Sequence, residues 1–380
     1  MQYSRIAAMF IAACLFAAFG DHLQVGAAHG AEPSGALLAQ VNVFSAGVGG
    51  YHSYRIPAVI ATTKGTILAI CEGRKNSRAD HGDIDLVLRR SSDGGRNWSP
   101  LQVIWEDKAE TIGNPSPVVD RKTGVIWLPF TRNNDRVFVT KSEDDGRSWS
   151  KPREITADVK RAGWTWYATG PGHAVQLESG RLLIPCDHRE DGEGPKNLYS
   201  HVIYSDDHGA TWRLGGSAAS KTNECTAVQL DGGDVYLNMR SYFGKNRRAI
   251  AHSRDGGLTW SETTHDAALI EPVCEGSAIR LTVTAQFAKS RILFSNPASV
   301  RREKLTVRLS YDEAKSWPRR RVLHAGPAAY SDLCVAPDHT IGCLYERGEK
   351  SAYEHITYAR FNLAWLSRGE DRLQPKSRRR

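Results

Sequence analysis

The chain has 380 residues, of which 41% are hydrophobic and 24% are charged, and its formal net charge is +8. These values are ordinary for a globular protein and exclude a disordered chain. Ten Trp, ten Phe, 34 Gly and 16 Pro favour short strands joined by tight turns. The positive charge is compatible with an anionic partner, whereas the absence of a basic block with interleaved aromatic residues argues against nucleic acid.

The N-terminal segment, residues 1–30, is predicted to be a secretory signal peptide. One positive charge precedes an almost entirely apolar run, Ile6–Phe19, and small residues follow, with cleavage expected after Ala28 or Gly30. The run is shorter than the roughly 20 residues of a membrane span. The sequence therefore predicts a secreted or periplasmic protein. A lipoprotein anchor at Cys14 is the alternative, which the apolar run beyond that cysteine disfavours.

One short motif, Ser-x-Asp-x-Gly-x-x-Trp, recurs along the chain. Its copies are Ser91–Trp98, Ser142–Trp149, Ser205–Trp212, Ser253–Trp260 and Ser310–Trp317. Each copy follows a strand-like run, which predicts a hairpin turn in which Asp accepts backbone N–H groups and Gly takes a positive φ. Ala314 replaces Gly in the fifth copy. These aspartates are expected to serve folding and not catalysis.

The spacing of the motif predicts the fold. Consecutive copies start 51, 63, 48 and 57 residues apart, and no apolar stripe of helical period stands out between them. Short strands with a period of about 50 residues are typical of a β-propeller with four strands per blade. Five motifs leave room for one further blade without a motif, so we predict an all-β, six-bladed propeller over residues 37–368. Leu37–Val43 is expected to complete the last blade beside Phe361–Trp365. Residues 369–380 are predicted to be a disordered basic tail.

Six cysteines follow the predicted signal segment: Cys71, Cys186, Cys225, Cys274, Cys334 and Cys343. Several lie in strand-like runs, where buried free thiols are expected, although an exported protein permits disulfides. No Cys-x-x-Cys pair or metal-ligand spacing occurs in the sequence.

Tyr54-Arg55-Ile56-Pro57, followed by the five turn motifs in order, resembles the exo-α-sialidases (neuraminidases) over residues 39–366. The resemblance implies a six-bladed propeller that hydrolyses terminal α-linked sialic acids with retention, through a covalent tyrosyl intermediate. It implies sialylated glycans, glycoproteins or glycolipids as partners and no metal or organic cofactor.

The resemblance further implies three arginines that bind the carboxylate of the sugar. Arg55 matches the first by its tripeptide, Arg240 the second by its place after a strand, and Arg308 the third by its place before the fifth motif. Guanidinium groups make bidentate, charge-assisted hydrogen bonds to a carboxylate, which a lysine does not reproduce.

The catalytic residues that the resemblance implies are Tyr330 as nucleophile, Glu224 as its base and Asp80 as the acid. A phenol is neutral until its proton leaves, so it approaches a carbon that bears a carboxylate without repulsion. With an ordinary pKa near 10 it needs a base at neutral pH. Asp83 competes with Asp80 for the role of acid.

Other residues are implied as supports or sugar contacts. Glu346 matches the residue that orients the first arginine, Asn114 is a contact to the sugar, and Trp166, with Trp164 and Tyr167, lines the pocket of the acyl or glycerol group. Two alternatives stay open. One is a propeller that binds sialic acid without catalysis, and the other is a trans-sialidase or a hydrolase of a related nonulosonic acid.

Overall fold

The structure is a computed structural model that describes residues 35–376. The predicted signal segment, Cys14 and the last four residues lie outside the described residues. The described part of the chain forms 25 β-strands and two short α-helices. Every pairing between these strands is antiparallel, as an up-and-down arrangement requires.

The first strand, β1 (Leu38–Ser45), pairs with the last strand of the chain. The first blade contains β2 (Ser53–Ala61), β3 (Ile67–Arg74), β4 (Ile84–Ser91) and β5 (Gln102–Trp105). The second contains β6 (Ile112–Gly113), β7 (Val118–Val119), β8 (Ile126–Arg132), β9 (Arg136–Ser142) and β10 (Arg153–Glu154). After helix α1 (Thr156–Val159), the third contains β11 (Trp166–Thr169), β12 (Val175–Gln176), β13 (Leu182–Arg189), β14 (Leu198–Ser205) and β15 (Arg213–Ser220), with a 3₁₀ turn at Pro195–Asn197. The fourth contains β16 (Thr222–Gln229), β17 (Val235–Ser241), β18 (Arg247–Ser253) and β19 (Thr264–Ile270).

The fifth and sixth blades share one long strand. The fifth contains β20 (Ser277–Thr282), β21 (Arg291–Pro297), β22 (Glu303–Ser310) and the first half of β23 (Arg319–Val335). Residues 319–327 of β23 pair with β22, whereas residues 328–335 pair with β24 (Ile341–Arg347). The sixth blade therefore consists of the second half of β23, β24, β25 (His355–Phe361) and β1, and helix α2 (Leu363–Ser367) follows it. The predicted six-bladed propeller is confirmed.

The ring closes through the pairing of β1 with β25, which runs from Leu38 opposite Phe361 to Ser45 opposite His355. This pairing gives the sixth blade its fourth strand and satisfies the edge of β25, which would otherwise present unpaired backbone groups.

The hydrophobic core lies between neighbouring blades. Ile70 and Leu88 of the first blade, for example, pack against Ile126 and Leu128 of the second, and all four are fully buried. Each sheet is thus covered on both faces, which explains why β3 is buried along its whole length.

The five repeated motifs form the predicted turns, and the third copy illustrates them. The Ser205 hydroxyl and the Thr211 backbone N–H donate to Asp207 Oδ1 at 2.8 and 2.9 Å. Gly209 has a φ of 88°, and a Cβ there would lie 2.1 Å from Trp127. Partial loss of hydration raises the pKa of the exposed Asp207, but the hydrogen bonds from Thr211 and Ser205 outweigh it and lower the pKa to about 2. In the fifth copy Ala314 adopts a φ of 63°.

Residues after α2 correct one prediction. Both oxygens of the Asp371 carboxylate accept hydrogen bonds from the buried guanidinium of Arg291, at 2.7 and 2.8 Å. Lys376 donates its backbone N–H to Gln286. The expectation of disorder from residue 369 is wrong for residues 369–376, because this buried ion pair fixes them against the fifth blade. Residues 377–380 lie outside the described part.

All six cysteines of the described chain are buried free thiols. Among residues 35–376 no helix has the length and apolar character needed to cross a membrane.

Candidate active site

The candidate site lies at the end of the propeller where the inner strands begin. Arg55 and Glu224 are the third residues of β2 and β16, and Tyr330 is the third residue of the second half of β23. Because strands alternate in direction, the repeated turns, which follow the third strand of a blade, lie at the opposite end. The side chains at the beginning of the inner strands line a cavity of about 630 Å³.

A tyrosine, a glutamate and an arginine from two blades meet in this cavity. The Tyr330 hydroxyl donates to Glu224 Oε1, and Arg240 Nη1 donates to Glu224 Oε2 at 2.8 Å and to the Tyr330 oxygen at 3.1 Å. Burial raises the pKa of Tyr330 well above its usual range, the Glu224 charge adds to this, and Arg240 opposes it. The phenol therefore keeps its proton until a base removes it, and Glu224 is in contact to do so.

Arg55 is held in place by the buried carboxylate of Glu346, the residue predicted to orient it. Glu346 is fully buried, and its Oε1 accepts from Arg55 Nε at 2.7 Å and from the Ile56 backbone N–H at 3.0 Å. Its Oε2 accepts from the Tyr330 backbone N–H at 3.1 Å. Ile56 has a φ of 60°, rare for a β-branched residue, at a bulge in the pairing of β2 with β3. This bulge aims Arg55 into the cavity, and Glu346 holds the strained backbone.

The third predicted arginine, Arg308, does not reach the cavity. It lies inside β22, two residues before Ser310 of the fifth motif, and donates to Asn296 at 2.8 Å. Burial, with Arg320 nearby, lowers the pKa of Arg308 to about 10. The structure places Arg302 in the cavity instead, in the loop between β21 and β22, where it donates to the Tyr353 hydroxyl at 2.7 Å. The prediction of Arg308 as a cavity residue is corrected to Arg302.

Asp80 lies at the rim of the cavity on the loop between β3 and β4. Its Oδ1 accepts from Arg74 Nη1 at 2.7 Å and lies 3.7 Å from Arg55 Nη1, while most of its side chain is exposed. Although the side chain is exposed, the surrounding protein at the rim removes part of its hydration, which raises the pKa of Asp80; Arg74 and then Arg55 outweigh this effect, so the net shift is downward. Asp83, the competing residue, forms an ion pair with Lys75 at 3.0 Å and does not line the cavity. The geometry favours Asp80.

Asn114 and Trp166 line the cavity, as do Tyr242 and Tyr353. Trp164, in contrast, lies in the core between the second and third blades, as does Tyr167, which the same stretch of sequence had placed with Trp166.

The comparisons with known proteins agree with this geometry. The family model of the BNR repeat-like domain matches residues 65–344. An exo-α-sialidase of Aspergillus fumigatus is 33% identical, with 88% of this chain and 89% of that protein aligned. A sialidase of Micromonospora viridifaciens is 35% identical, over 89% of this chain and 55% of that protein. The chain belongs to the exo-α-sialidase family, whose members are glycoside hydrolases.

The fold comparison gives the same result. The solved structure of the Hadza microbial sialidase Hz136 superimposes with a TM-score of 0.79 and 30% identity, over 86% of this chain and 69% of that chain.

The charge of the sialidase cavity suits an anionic ligand. Its lining contains Arg55, Arg74, Arg189, Arg240 and Arg302 against the carboxylates Glu72, Asp80 and Glu224. Burial lowers the pKa of Arg55, but the contact with Glu346 outweighs it and keeps this guanidinium charged. Fixed positive charge in a concave, partly water-excluded site attracts anions and binds them strongly.

Several cavity residues of this sialidase were missed by the sequence prediction. They are Glu72, Arg74, His81, Asn133, Asn134, Arg189, Leu198, Asn223, Tyr242, Arg302 and Tyr353. One signal would have found Arg302. The loop between the second and third strands of a blade lies at the site end, and a residue two positions before a turn motif lies at the other end.

Proposed function

We propose that this sialidase hydrolyses terminal α-linked sialic acids with retention through a covalent intermediate on Tyr330. The observation that carries the proposal is the contact of the buried Tyr330 hydroxyl with Glu224, beside Arg240. A tyrosine that donates to a carboxylate has the geometry of an activated nucleophile.

In the first step Arg55, Arg240 and Arg302 bind the carboxylate of the sugar. Glu224 takes the phenolic proton while the Tyr330 oxygen bonds to the anomeric carbon. The glycosidic bond breaks, and its electron pair stays on the leaving oxygen, which takes a proton from Asp80, directly or through water. In the second step Asp80 removes a proton from water, the water oxygen bonds to the anomeric carbon, and the electron pair of the tyrosyl bond returns to Tyr330, which regains its proton from Glu224.

Turnover of a fluorogenic α-sialoside tests the activity. Hydrolysis is expected, whereas tight binding without turnover would indicate a sialic-acid-binding propeller. A panel of linked sialosides, with a second glycan as acceptor and related nonulosonic acids as substrates, separates hydrolysis from transfer and from a different sugar preference.

A 3-fluorosialosyl fluoride tests the mechanism. The ring fluorine slows both steps, while the good leaving group allows the first, so the adduct should accumulate on the peptide that contains Tyr330 and be visible by mass spectrometry. NMR of the first-formed product should show the α-anomer. An adduct on Glu224 or Asp80, or a first-formed β-anomer, would contradict the mechanism.

We also propose that the protein is secreted or periplasmic, because its N-terminal sequence has the order of a signal peptide. Cell fractionation with N-terminal sequencing of the mature protein tests this. A protein that retains residues 1–30 in the cytoplasm would contradict it, and acylation at Cys14 would favour the lipoprotein alternative.

A further inference from the structure

A buried carboxylate without a cation, that of Asp187, lies behind the base of the candidate site. Asp187 is on β13 and is fully buried. Its Oδ2 accepts a hydrogen bond from the side-chain NH₂ group of Asn223, and its Oδ1 has no hydrogen-bond partner among the described residues. Within residues 35–376 no lysine, arginine or histidine forms an ion pair with it. An ionised carboxylate with a single neutral partner is costly in a protein interior.

The groups around Asp187 do not supply a compensating charge. The titratable and charged side chains close enough to interact electrostatically with it are Tyr167, Cys186, Glu224, Cys225, Arg240 and Tyr242. Arg240 is already paired with Glu224 at 2.8 Å. Burial raises the pKa of Asp187 well above its usual range and the Glu224 charge adds to it, against weaker opposition from Arg240.

Asn223 connects this carboxylate to the cavity. It directly precedes Glu224, is 5% exposed and lines the cavity. Its backbone is fixed to the third blade, because the Ser200 hydroxyl donates to the Asn223 carbonyl and the Ser200 N–H donates to Thr222 Oγ1 at 2.9 Å. Its side-chain amide is placed with the NH₂ group toward Asp187. A half-turn that exchanges the amide oxygen and nitrogen preserves the shape of the group, so the hydrogen-bond partners decide between the two orientations.

The protonation state of Asp187 decides that orientation. An ionised Asp187 accepts from the NH₂ group of Asn223 and leaves the amide oxygen toward the cavity. A protonated Asp187 has a hydrogen to donate, takes the amide oxygen as its acceptor and leaves the NH₂ group toward the cavity.

We infer that Asp187 is a protonated positioning residue that donates to the side-chain oxygen of Asn223 and turns the Asn223 NH₂ group into the cavity, as a donor to an acceptor oxygen of the bound sugar. The part that concerns the sugar rests on the proposed function, whereas the proton on Asp187 does not.

Infrared difference spectroscopy tests whether Asp187 is protonated, and this test does not depend on enzymatic turnover. Glu275 is a second buried acid with a raised pKa, so the infrared carbonyl band of a protonated Asp187 must be assigned by substitution. The spectrum of the wild type minus that of Asp187→Asn at neutral pH should contain the carbonyl stretch of a protonated carboxylic acid. If Asp187→Asn does not fold, Asp187→Leu serves the same assignment. A difference that contains only carboxylate bands overturns the inference, even if the protein is an active sialidase.

Kinetics test the positioning role. In Asp187→Asn the new NH₂ group can donate to the Asn223 oxygen, so this conservative variant should stay within about threefold of wild-type kcat/KM at neutral pH, whereas Asp187→Leu should raise KM about tenfold through one lost hydrogen bond. The wild type should lose activity as pH rises through the raised pKa of Asp187, and Asp187→Asn should lack this alkaline limb. Superimposable pH profiles, or equal losses in the two variants, would overturn the inference.

Discussion

The two ends of the propeller use the same chemical group, a carboxylate, in opposite ways. At the motif end, Asp207 accepts from the backbone of Thr211, four residues away. At the site end, Glu346 accepts from Arg55, 291 residues away, and Glu224 accepts from Tyr330, 106 residues away. A carboxylate with local partners stabilises its own turn, whereas one with distant partners acts only after the blades have come together. The motif end therefore builds the fold, and the closed fold builds the site.

The largest expected difference between the ends concerns Tyr330. Tyr330→Phe removes the oxygen that contacts Glu224 and Arg240, so kcat should fall at least about 1,000-fold with little change in the thermal unfolding temperature. Steady-state kinetics and thermal unfolding measure both quantities. Tyr358→Phe is the matched control, because the Tyr358 ring packs against Gly95 and Trp98 of the first motif, and this variant should keep wild-type kcat. Equal losses in the two variants would remove the distinction between the ends.

The arginines of the fifth blade sharpen the comparison. Arg302→Lys keeps the charge but loses the bidentate geometry, so KM should rise about 10- to 100-fold. Arg308→Lys should leave KM unchanged and lower only the unfolding temperature, because Arg308 contacts Asn296 outside the cavity. A larger effect on KM from Arg308→Lys than from Arg302→Lys would refute the placement of the third arginine.

A smaller effect is expected at Asp80. Arg74 holds the pKa of Asp80 below its ordinary value, so its protonated form is scarce at neutral pH. Arg74→Met should raise this pKa and shift the alkaline limb of kcat/KM that depends on protonated Asp80 to higher pH. Lys75→Met, which removes the ion pair of Asp83, is the control and should leave that limb in place. A shift in the control variant alone would indicate Asp83 as the acid.

The smallest effect is expected at the motif end. Asp207→Ala should lower stability by about 1–2 kcal/mol, as loss of a capping side chain does, and the unfolding temperature by roughly 1–3 °C, with kcat unchanged. Because the pKa of Asp207 is lowered to about 2, its contribution is present above about pH 4 and is lost as pH falls toward 2. The unfolding temperatures of the wild type and of Asp207→Ala, measured between pH 2 and pH 7, should converge as the pH approaches 2. A stable but inactive Asp207→Ala would contradict this role.

The same division explains what the sequence revealed. The turns and the number of blades were predictable because the residues that form each turn, such as Ser205, Asp207 and Gly209, lie within five positions. The residues of the site were only partly predictable, because the local sequence around Arg302 and Arg308 does not show which of the two arginines lines the cavity. Only the alternation of strand direction separates the cavity from the opposite end.

Asp187 shows a second limit of the sequence. Nothing near it in the chain indicates burial against Asn223, a contact that joins two different blades. The ordered residues after α2 were missed for a similar reason, since the partner of Asp371 is Arg291, 80 positions earlier.

The pairing of β1 with β25 has a consequence for synthesis. The strand that completes the sixth blade is made first, and its partner is made more than 300 residues later. During translation β1 therefore has no strand partner until β25 has been synthesised, and the ring closes only after that point. Folding of this propeller is expected to have a late, slow step with high contact order, and a chain released before β25 would carry every turn motif and yet no closed ring.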